Sequence, residues 1–423
     1  MLNFIKKLNF IGKTSVNIIT VFIIQVLIVS LGLATNIAIA RLFGKPVLGM
    51  YSYFMSLTGF ILLFVYPGFS NSISKIVASS PSYYYDLNKK ALISSLLLSL
   101  VVIPLSYLMT SYLGLNPALN YFYAFVIVYI ILSLPYHNSI QTLRGFEKFT
   151  FASFFDLLNR IFVVITLLIL FLSGASVYSV FMAVNIALMI SILFQKHYVK
   201  NYLRKHIKIK NPLAISFKKL FTESSLFFFV GLSTIGIYAV DRLSIKYVLD
   251  FSSLGLYEAY SNVVNIIRLS AYVLPFVLIP MATKTKYQIK KSFLKIMLLL
   301  LPFALIVGIL SYYVVPLLFG AQFKIPLNYP LPWLMVISAS SLVIFSYFNS
   351  ILLGENMFSK SLLSMTIIDA VLSMVVNFIL NIYFLNRFGI IGAPIATIIV
   401  LWAKIIINVS FLKHVRHRIS KKA

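Results

Sequence analysis

Residues 296–319 read IMLLLLPFALIVGILSYYVVPLLF, twenty-four residues without a charge. As an α-helix this run is about 36 Å long, more than the roughly 30 Å of hydrocarbon in a bilayer. A membrane β-strand alternates apolar and polar residues over about ten positions, whereas this run is apolar almost throughout, so it reads as a membrane-crossing helix. The rest of the chain repeats the pattern. Of its 423 residues 61% are hydrophobic and 11% charged. Average globular domains carry roughly a quarter charged residues and about half apolar ones, so this chain cannot cover a water-facing surface.

Apolar runs of about 20 residues, broken by charge, Gly, Pro or Asn, number twelve. They lie near 16–40, 48–74, 91–113, 120–143, 151–173, 176–196, 222–247, 255–282, 293–319, 330–353, 361–385 and 390–412. The longest polar interval, Lys196 to Lys219, separates six from six. The expected organisation is an N-terminal six-helix bundle (1–196), a basic cytoplasmic linker (197–221), and a C-terminal six-helix bundle with a basic cytoplasmic tail (222–423). The halves carry matching marks. Leu48-Gly49-Met50-Tyr51 recurs as Leu254-Gly255-Leu256-Tyr257, Pro67 falls near the equivalent of Pro275, Gly145-Phe146-Glu147 is echoed by Gly354-Glu355-Asn356, and Asp156 by Asp369. Because each half has an even number of spans, the repeats enter the membrane from the same side and are related by a pseudo-two-fold axis along the membrane normal. The expected fold is therefore an all-α polytopic membrane protein of twelve transmembrane helices in two six-helix bundles, with a cavity between the halves near the midplane.

Lys and Arg number 36 against 9 Asp and Glu, a net charge of +27. In a soluble protein this would point to nucleic acid, but the polar framework that presents such a patch is missing, so no nucleic-acid partner is expected. Position explains the charge better. With the N-terminus inside, 27 basic residues fall in cytoplasmic segments and five in the opposite loops (Arg41, Lys45, Lys246, Lys324, Arg387); the remaining four, Arg160, Arg242, Arg268 and Lys404, fall within spans. By the positive-inside rule both termini are cytoplasmic and the chain sits in the cell membrane, its basic face suited to anionic lipids. No cleavable signal is expected, since the first apolar run continues past signal-peptide length. The chain has no Cys, which excludes disulfides, cysteine metal sites and thiol catalysis. It also makes the orientation testable: a single cysteine at Asn211 is expected to react with an impermeant thiol reagent only from the cytoplasm, and labelling from outside would reverse the topology.

Ile39-Ala40-Arg41-Leu42-Phe43-Gly44 followed by Leu48-Gly49-Met50-Tyr51 resembles the first loop of polysaccharide-exporting members of the multidrug, oligosaccharidyl-lipid and polysaccharide exporter superfamily. Asp241-Arg242-Leu243 with Leu254-Gly255-Leu256-Tyr257 is similar to the corresponding element of the second half. Arg387-Phe388-Gly389-Ile390-Ile391-Gly392-Ala393-Pro394-Ile395-Ala396-Thr397 resembles the signature leading into the last span, and the resemblance covers essentially the whole chain. It implies a flippase that moves a polyprenyl-(pyro)phosphate-linked oligosaccharide from the inner to the outer leaflet by alternating access.

Charge inside a span costs on the order of 3 kcal/mol, so such groups face a cavity or one another. Asp156 and Arg160 are four residues apart on one helix face, where they can pair. Asp241 and Arg242 are adjacent and point about 100° apart. Arg268 stands alone in the eighth span, and Lys404, in the last, has a stem long enough to snorkel. Four cations against few acids predict a cavity of positive sign. A diphosphate suits Arg, which holds planar oxygens bidentately. Arg160, Arg242 and Arg268 are therefore the expected headgroup contacts, with Arg41 and Lys45 on the outer side and Lys404 as a further cation. Pairing with Asp156, Asp241, Glu258 or Asp369 would account for the same cations without a ligand. Tyr238, Tyr257, Tyr260 and Tyr272 can stack on sugars or simply pack.

If transport is ion-driven, Asp156, Asp241, Glu258 and Asp369 are the candidate H+ or Na+ sites; a potential acting on the anionic headgroup is the other drive. No complete Gly-x-x-x-x-Gly-Lys-Ser/Thr phosphate loop is present, since Gly12-Lys13-Thr14 has Lys7 where the first glycine would stand, and His137, His197, His206, His414 and His417 lack metal-ligand spacing within a cavity. The expectation is a monomeric transporter, not an enzyme, with no cofactor or metal, whose partners are the lipid-linked oligosaccharide and membrane lipids. The alternative is a cation-coupled multidrug antiporter of the same fold, disfavoured because the first span has no acid between Val16 and Ala40. A membrane-embedded glycosyltransferase ranks last, lacking large polar loops with clustered acids or His.

Overall fold

The structure is a computed structural model that describes residues 13–112, 119–174, 176–206, 214–284, 289–355 and 360–420. Among the described residues there is no strand, and each of the twelve predicted spans coincides with helix. The helices are α1 (Lys13–Phe43), α2 (Lys45–Val65), α3 (Phe69–Ser79), α4 (Tyr84–Tyr112), α5 (Leu119–Gly145), α6 (Phe149–Leu172) and α7 (Ser179–His206). They continue with α8 (Phe217–Val248), α9 (Phe251–Lys284), α10 (Ile289–Phe319), α11 (Leu331–Glu355), α12 (Lys360–Val371), α13 (Asn377–Phe388) and α14 (Gly392–Ser420). Ten stretches of described residues are long and apolar enough to cross a membrane, and the last, Leu363–Lys413, runs through α12, α13 and α14, with Gly389–Ile391 between the last two.

Two spans depart from the continuous helices expected of them. The second is cut into α2 and the short α3 because Gly68, which caps α3, adopts φ 66°, a left-handed conformation open to glycine. A Cβ there would also overlap the Ser224 carbonyl. The eleventh span contains a single π-helical turn, Leu372–Val376, between α12 and α13. Such turns are rare and concentrate at functional sites.

Large apolar side chains point outward. Leu100 on α4 is 72% exposed and Leu299 on α10 is 77% exposed. In water such a surface would aggregate; facing acyl chains it is the expected solution.

The chain forms two compact units. One consists of the described residues of Met1–Asn36 and Thr58–Phe228, the other of those of Ile37–Leu57 and Phe229–Ala423. In the first, Tyr136, Ile140 and Leu143 of α5 pack with Ala152 and Phe155 of α6 and Leu188 and Val199 of α7. In the second, Leu278 of α9, Tyr347, Ile351 and Leu352 of α11, Met365 of α12 and Leu412 of α14 share a core. Small residues allow α2 and α9 to cross closely within this second unit. A Cβ on Gly49 would overlap the Phe251 carbonyl, and one on Gly255 would overlap the Lys45 carbonyl. The 206-residue offset of the repeat relates 45 to 251 and 49 to 255, so it exchanges the contact of Gly49 with Phe251 for that of Gly255 with Lys45, as a local two-fold requires.

Candidate functional site

In the first unit, the polar groups of α5 and α6 meet. Asp156 accepts from the Tyr136 hydroxyl at 2.7 Å and pairs with Arg144 at 3.4 Å. The fourth-neighbour pairing of Asp156 with Arg160 does not form; Arg144, at the C-terminal end of α5, reaches the carboxylate instead, and Arg160 makes no ion pair among the described residues. Nearby, the Tyr66 hydroxyl donates to the Asn138 carboxamide, which donates in turn to the Asn88 carbonyl at 3.3 Å.

The second unit holds the denser network. Asp241 of α8 is completely buried. Its Oδ1 accepts from the amides of Asn377 and Asn381 of α13 at 3.0 and 2.9 Å, and its Oδ2 from Thr397 of α14 at 2.5 Å and Tyr257 of α9 at 3.2 Å. The Asn377 and Asn381 carbonyl oxygens are buried with no hydrogen-bond partner among the described residues. A carboxylate, a hydroxyl and two spare carboxamide oxygens are a donor set that suits a hard monovalent cation or a proton. Arg242, one residue on, turns to Glu258: its Nε donates to Oε2 at 2.8 Å, where Ser52 also donates at 2.9 Å, while Asn262 donates to Oε1 at 3.3 Å.

Arg268 is 4% exposed. Its Nη1 donates to Ser261 Oγ and Asn265 Oδ1 at 2.9 and 2.8 Å, its guanidinium lies 4.5 Å from the centre of the Tyr238 ring, and its Nε has no partner among the described residues. No carboxylate lies within ion-pair distance of it. Formal charges in this cluster balance, two guanidiniums against the carboxylates of Asp241 and Glu258.

The other predicted cations have protein partners. Arg41 donates to the Leu317 carbonyl and, at 2.7 Å, to the Leu318 carbonyl, supplying the donors that the last turn of α10 lacks. Lys45 sits 5.5 Å from the centre of the Phe323 ring. Lys404, 1% exposed, donates to the Ser233 carbonyl at 3.0 Å and to the Ser233 and Ser373 hydroxyls at 2.8 Å each. Asp369 is buried on α12. Tyr257 is engaged by Asp241, and the Tyr260 hydroxyl by the Phe323 carbonyl at 3.2 Å; the Tyr272 side chain lies outside the described residues. Among the described residues no cluster of His, Asp or Glu is arranged to hold a metal.

Asn377, Asn381 and Thr397 were not singled out from the sequence, though the two carboxamides four residues apart in an apolar span are a readable signal. Their partner, Asp241, stands 136 to 156 residues away.

Residues 15–286 match a family described as polysaccharide biosynthesis protein. No curated protein matches by sequence. The fold is similar to that of the lipid II flippase MurJ in an inward closed conformation, with a TM-score of 0.69 at 16% identity over 93% of this chain and 87% of that one. It is also similar to a multidrug resistance MATE family transporter in an inward-facing conformation (TM-score 0.59, 15% identity, 92% and 95% covered). A third likeness is to the MATE multidrug transporter DinF-BH (TM-score 0.59, 16% identity, 96% of both chains).

Proposed function

The chain belongs to the polysaccharide biosynthesis protein family, and from that membership we propose that it is a flippase for a polyprenyl-(pyro)phosphate-linked oligosaccharide, moving it from the inner to the outer leaflet of the cell membrane by alternating access. The family match and the likeness in fold to a lipid II flippase support the substrate class. Arg268 carries the residue-level reading. A guanidinium in a membrane helix with no carboxylate beside it and one N–H unspent can take up phosphate oxygens without first breaking an ion pair. Arg242 is less suited, because Glu258 already neutralises it. Arg160 of α6 is the other arginine within a span that lacks a carboxylate partner among the described residues.

Asp241, with Asn377, Asn381 and Thr397, is the proposed coupling site for Na+ or H+. Glu258 and Asp156 are engaged by Arg242 and Arg144 and do not offer the same free oxygens.

Export of surface glycan in cells lacking their own flippase of this class tests the proposal. Arg268→Ala is expected to lower export at equal expression by roughly 10- to 100-fold, the worth of one lost charge-assisted contact of about 1.5–3 kcal/mol. Arg268→Lys is expected to recover part of it, since an ammonium keeps the charge and loses the planar fork. Unchanged export in Arg268→Ala would remove the headgroup role. Extrusion of cationic dyes with no effect on glycan would favour the antiporter reading.

A further inference from the structure

Three elements of the second unit are laced together in a constant register. Ser373 Oγ donates to the Ser233 carbonyl at 2.9 Å, Asn377 Nδ2 to the Ile237 carbonyl at 3.1 Å, and Asn381 Nδ2 to Asp241 Oδ1 at 2.9 Å. Each pair is separated by 140 residues, so α8 and the α12–α13 span run parallel with polar groups facing at every step. Continued one step toward the start of α12, the series 381, 377, 373 reaches 369, and Asp369 stands there. From Asp241 at one end to Asp369 at the other, the seam covers twelve residues of helix, about 18 Å.

Asp369 is 4% exposed, and its Oδ1 is buried with no hydrogen-bond partner among the described residues. Lys404 closes the gap between it and the rest of the seam. Its ammonium is held by two oxygens of Ser233 and the hydroxyl of Ser373, the latter on the π-helical turn, and lies 4.2 Å from the centre of the Phe345 ring. It does not reach the Asp369 carboxylate within ion-pair distance. Each nevertheless is the charge that acts on the other: Asp369 feels Lys404, Lys404 feels Asp369, and the groups of α8 and α11 that face Lys404, Ser233 and Phe345, are neutral. A stable buried ion pair closes its contact and spends its oxygens on donors. This one leaves an acceptor bare beside a cation that is fully occupied elsewhere. Intramembrane acids so placed are where protons bind.

We propose that Asp369 and Lys404 form a proton-exchange station separate from the Asp241 site, at the opposite end of the same polar seam. In the unprotonated state the pair is a carboxylate and an ammonium, neutral in sum. One proton taken from water at the α12 end adds to the Asp369 carboxylate, giving a neutral acid beside an unchanged ammonium and a net charge of +1; release returns the same proton to water. Lys404 keeps its three oxygen ligands in both states and sets the proton affinity of Asp369 by its charge. It is thus a positioning and tuning residue and not a substrate contact.

Infrared difference spectra of the full-length chain in lipid vesicles, recorded in sodium-free buffer across about pH 5 to 9, read this directly. The expected result is a carboxylic-acid C=O band that appears and disappears with pH, is absent in Asp369→Asn, and persists in Asp241→Asn. Lys404→Gln is expected to move its midpoint by at least about one pH unit, a tenfold change in proton affinity, and Lys404→Arg to restore it. Should Asp369→Asn fail to fold, Asp369→Glu keeps the charge and is expected to displace the band in frequency. A band that survives Asp369→Asn, one unmoved by Lys404→Gln, or no pH-dependent carboxyl band would each overturn the proposal. The readout contains no glycan, so failure of the export reading leaves this band in place and failure here leaves export untouched.

Discussion

Asp241→Ala is expected to destabilise the chain by about 2–4 kcal/mol, seen as earlier melting of the detergent-solubilised protein. Four donors, from Asn377, Asn381, Thr397 and Tyr257, converge on this one carboxylate. Hydrogen bonds between membrane helices average about 0.6 kcal/mol, because the separated helices find other partners, whereas bonds to a charged acceptor are worth about 1.5–3 kcal/mol. Four bonds lost together at a fully buried site fall between those limits. Asp241→Asn behaves differently. It retains an oxygen where two amides converge, so melting is expected to change by less than about 1 kcal/mol. It also removes the negative charge, leaving the guanidiniums of Arg242 and Arg268 against the single carboxylate of Glu258. Export is therefore expected to fall in Asp241→Asn as far as in Asp241→Ala. Normal export in the Asn variant would leave Asp241 a structural knot and end its role as the coupling site.

The second large effect is at the crossing of α2 and α9. Gly49→Ala and Gly255→Ala each drive a methyl group into backbone on the opposite helix, which cannot rotate aside as a side chain can. The helices must part, at a cost of about 1–3 kcal/mol or more. Because the contacts are reciprocal, the two variants are expected to melt at similar temperatures, and the double variant to lose less than the sum, since one separation relieves both overlaps. Gly32→Ala and Gly59→Ala are the controls: nothing lies within 4 Å of a Cβ at either position. There the better helix former is expected to raise stability by up to about 1 kcal/mol. If Gly49→Ala melts with Gly59→Ala, close crossing is not what holds these helices.

Twelve apolar spans were legible because hydropathy acts locally: a run such as 296–319 has no other stable home. What was not legible depends on the third dimension. Nothing in the run 48–74 announces that Gly68 takes a left-handed conformation, since that depends on how closely the Ser224 carbonyl approaches. The π-helical turn at Leu372–Val376 has no sequence signature of its own. The charged residues were found by being charged, but their partners were not. Spacing on one helix favoured Arg160 for Asp156, yet Arg144 won from the end of a neighbouring helix. Arg41 and Lys404 read as ligand contacts because a lone cation in or near a span lacks a visible partner, while backbone carbonyls and serine hydroxyls, which satisfy both, are invisible to a count of acids. Asp241 stood out, and its three neutral partners on α13 and α14 did not.

The bond between Ser52 and Glu258 joins positions 206 residues apart, the same offset that relates the two copies of the Leu-Gly-x-Tyr motif. A residue on a two-fold meets its own counterpart. In an assembly of two identical chains that meeting would be Ser with Ser or Glu with Glu: the first leaves nothing to neutralise Arg242, and the second sets two carboxylates against each other in a low-dielectric interior. A hydroxyl that donates to an acid requires the two sides to differ. The arrangement is therefore closed to two identical chains and open to repeats within one polypeptide, where each copy can mutate independently of its twin. The covalent joining of the repeats is what allows an asymmetric charge to sit where the two copies of the motif meet.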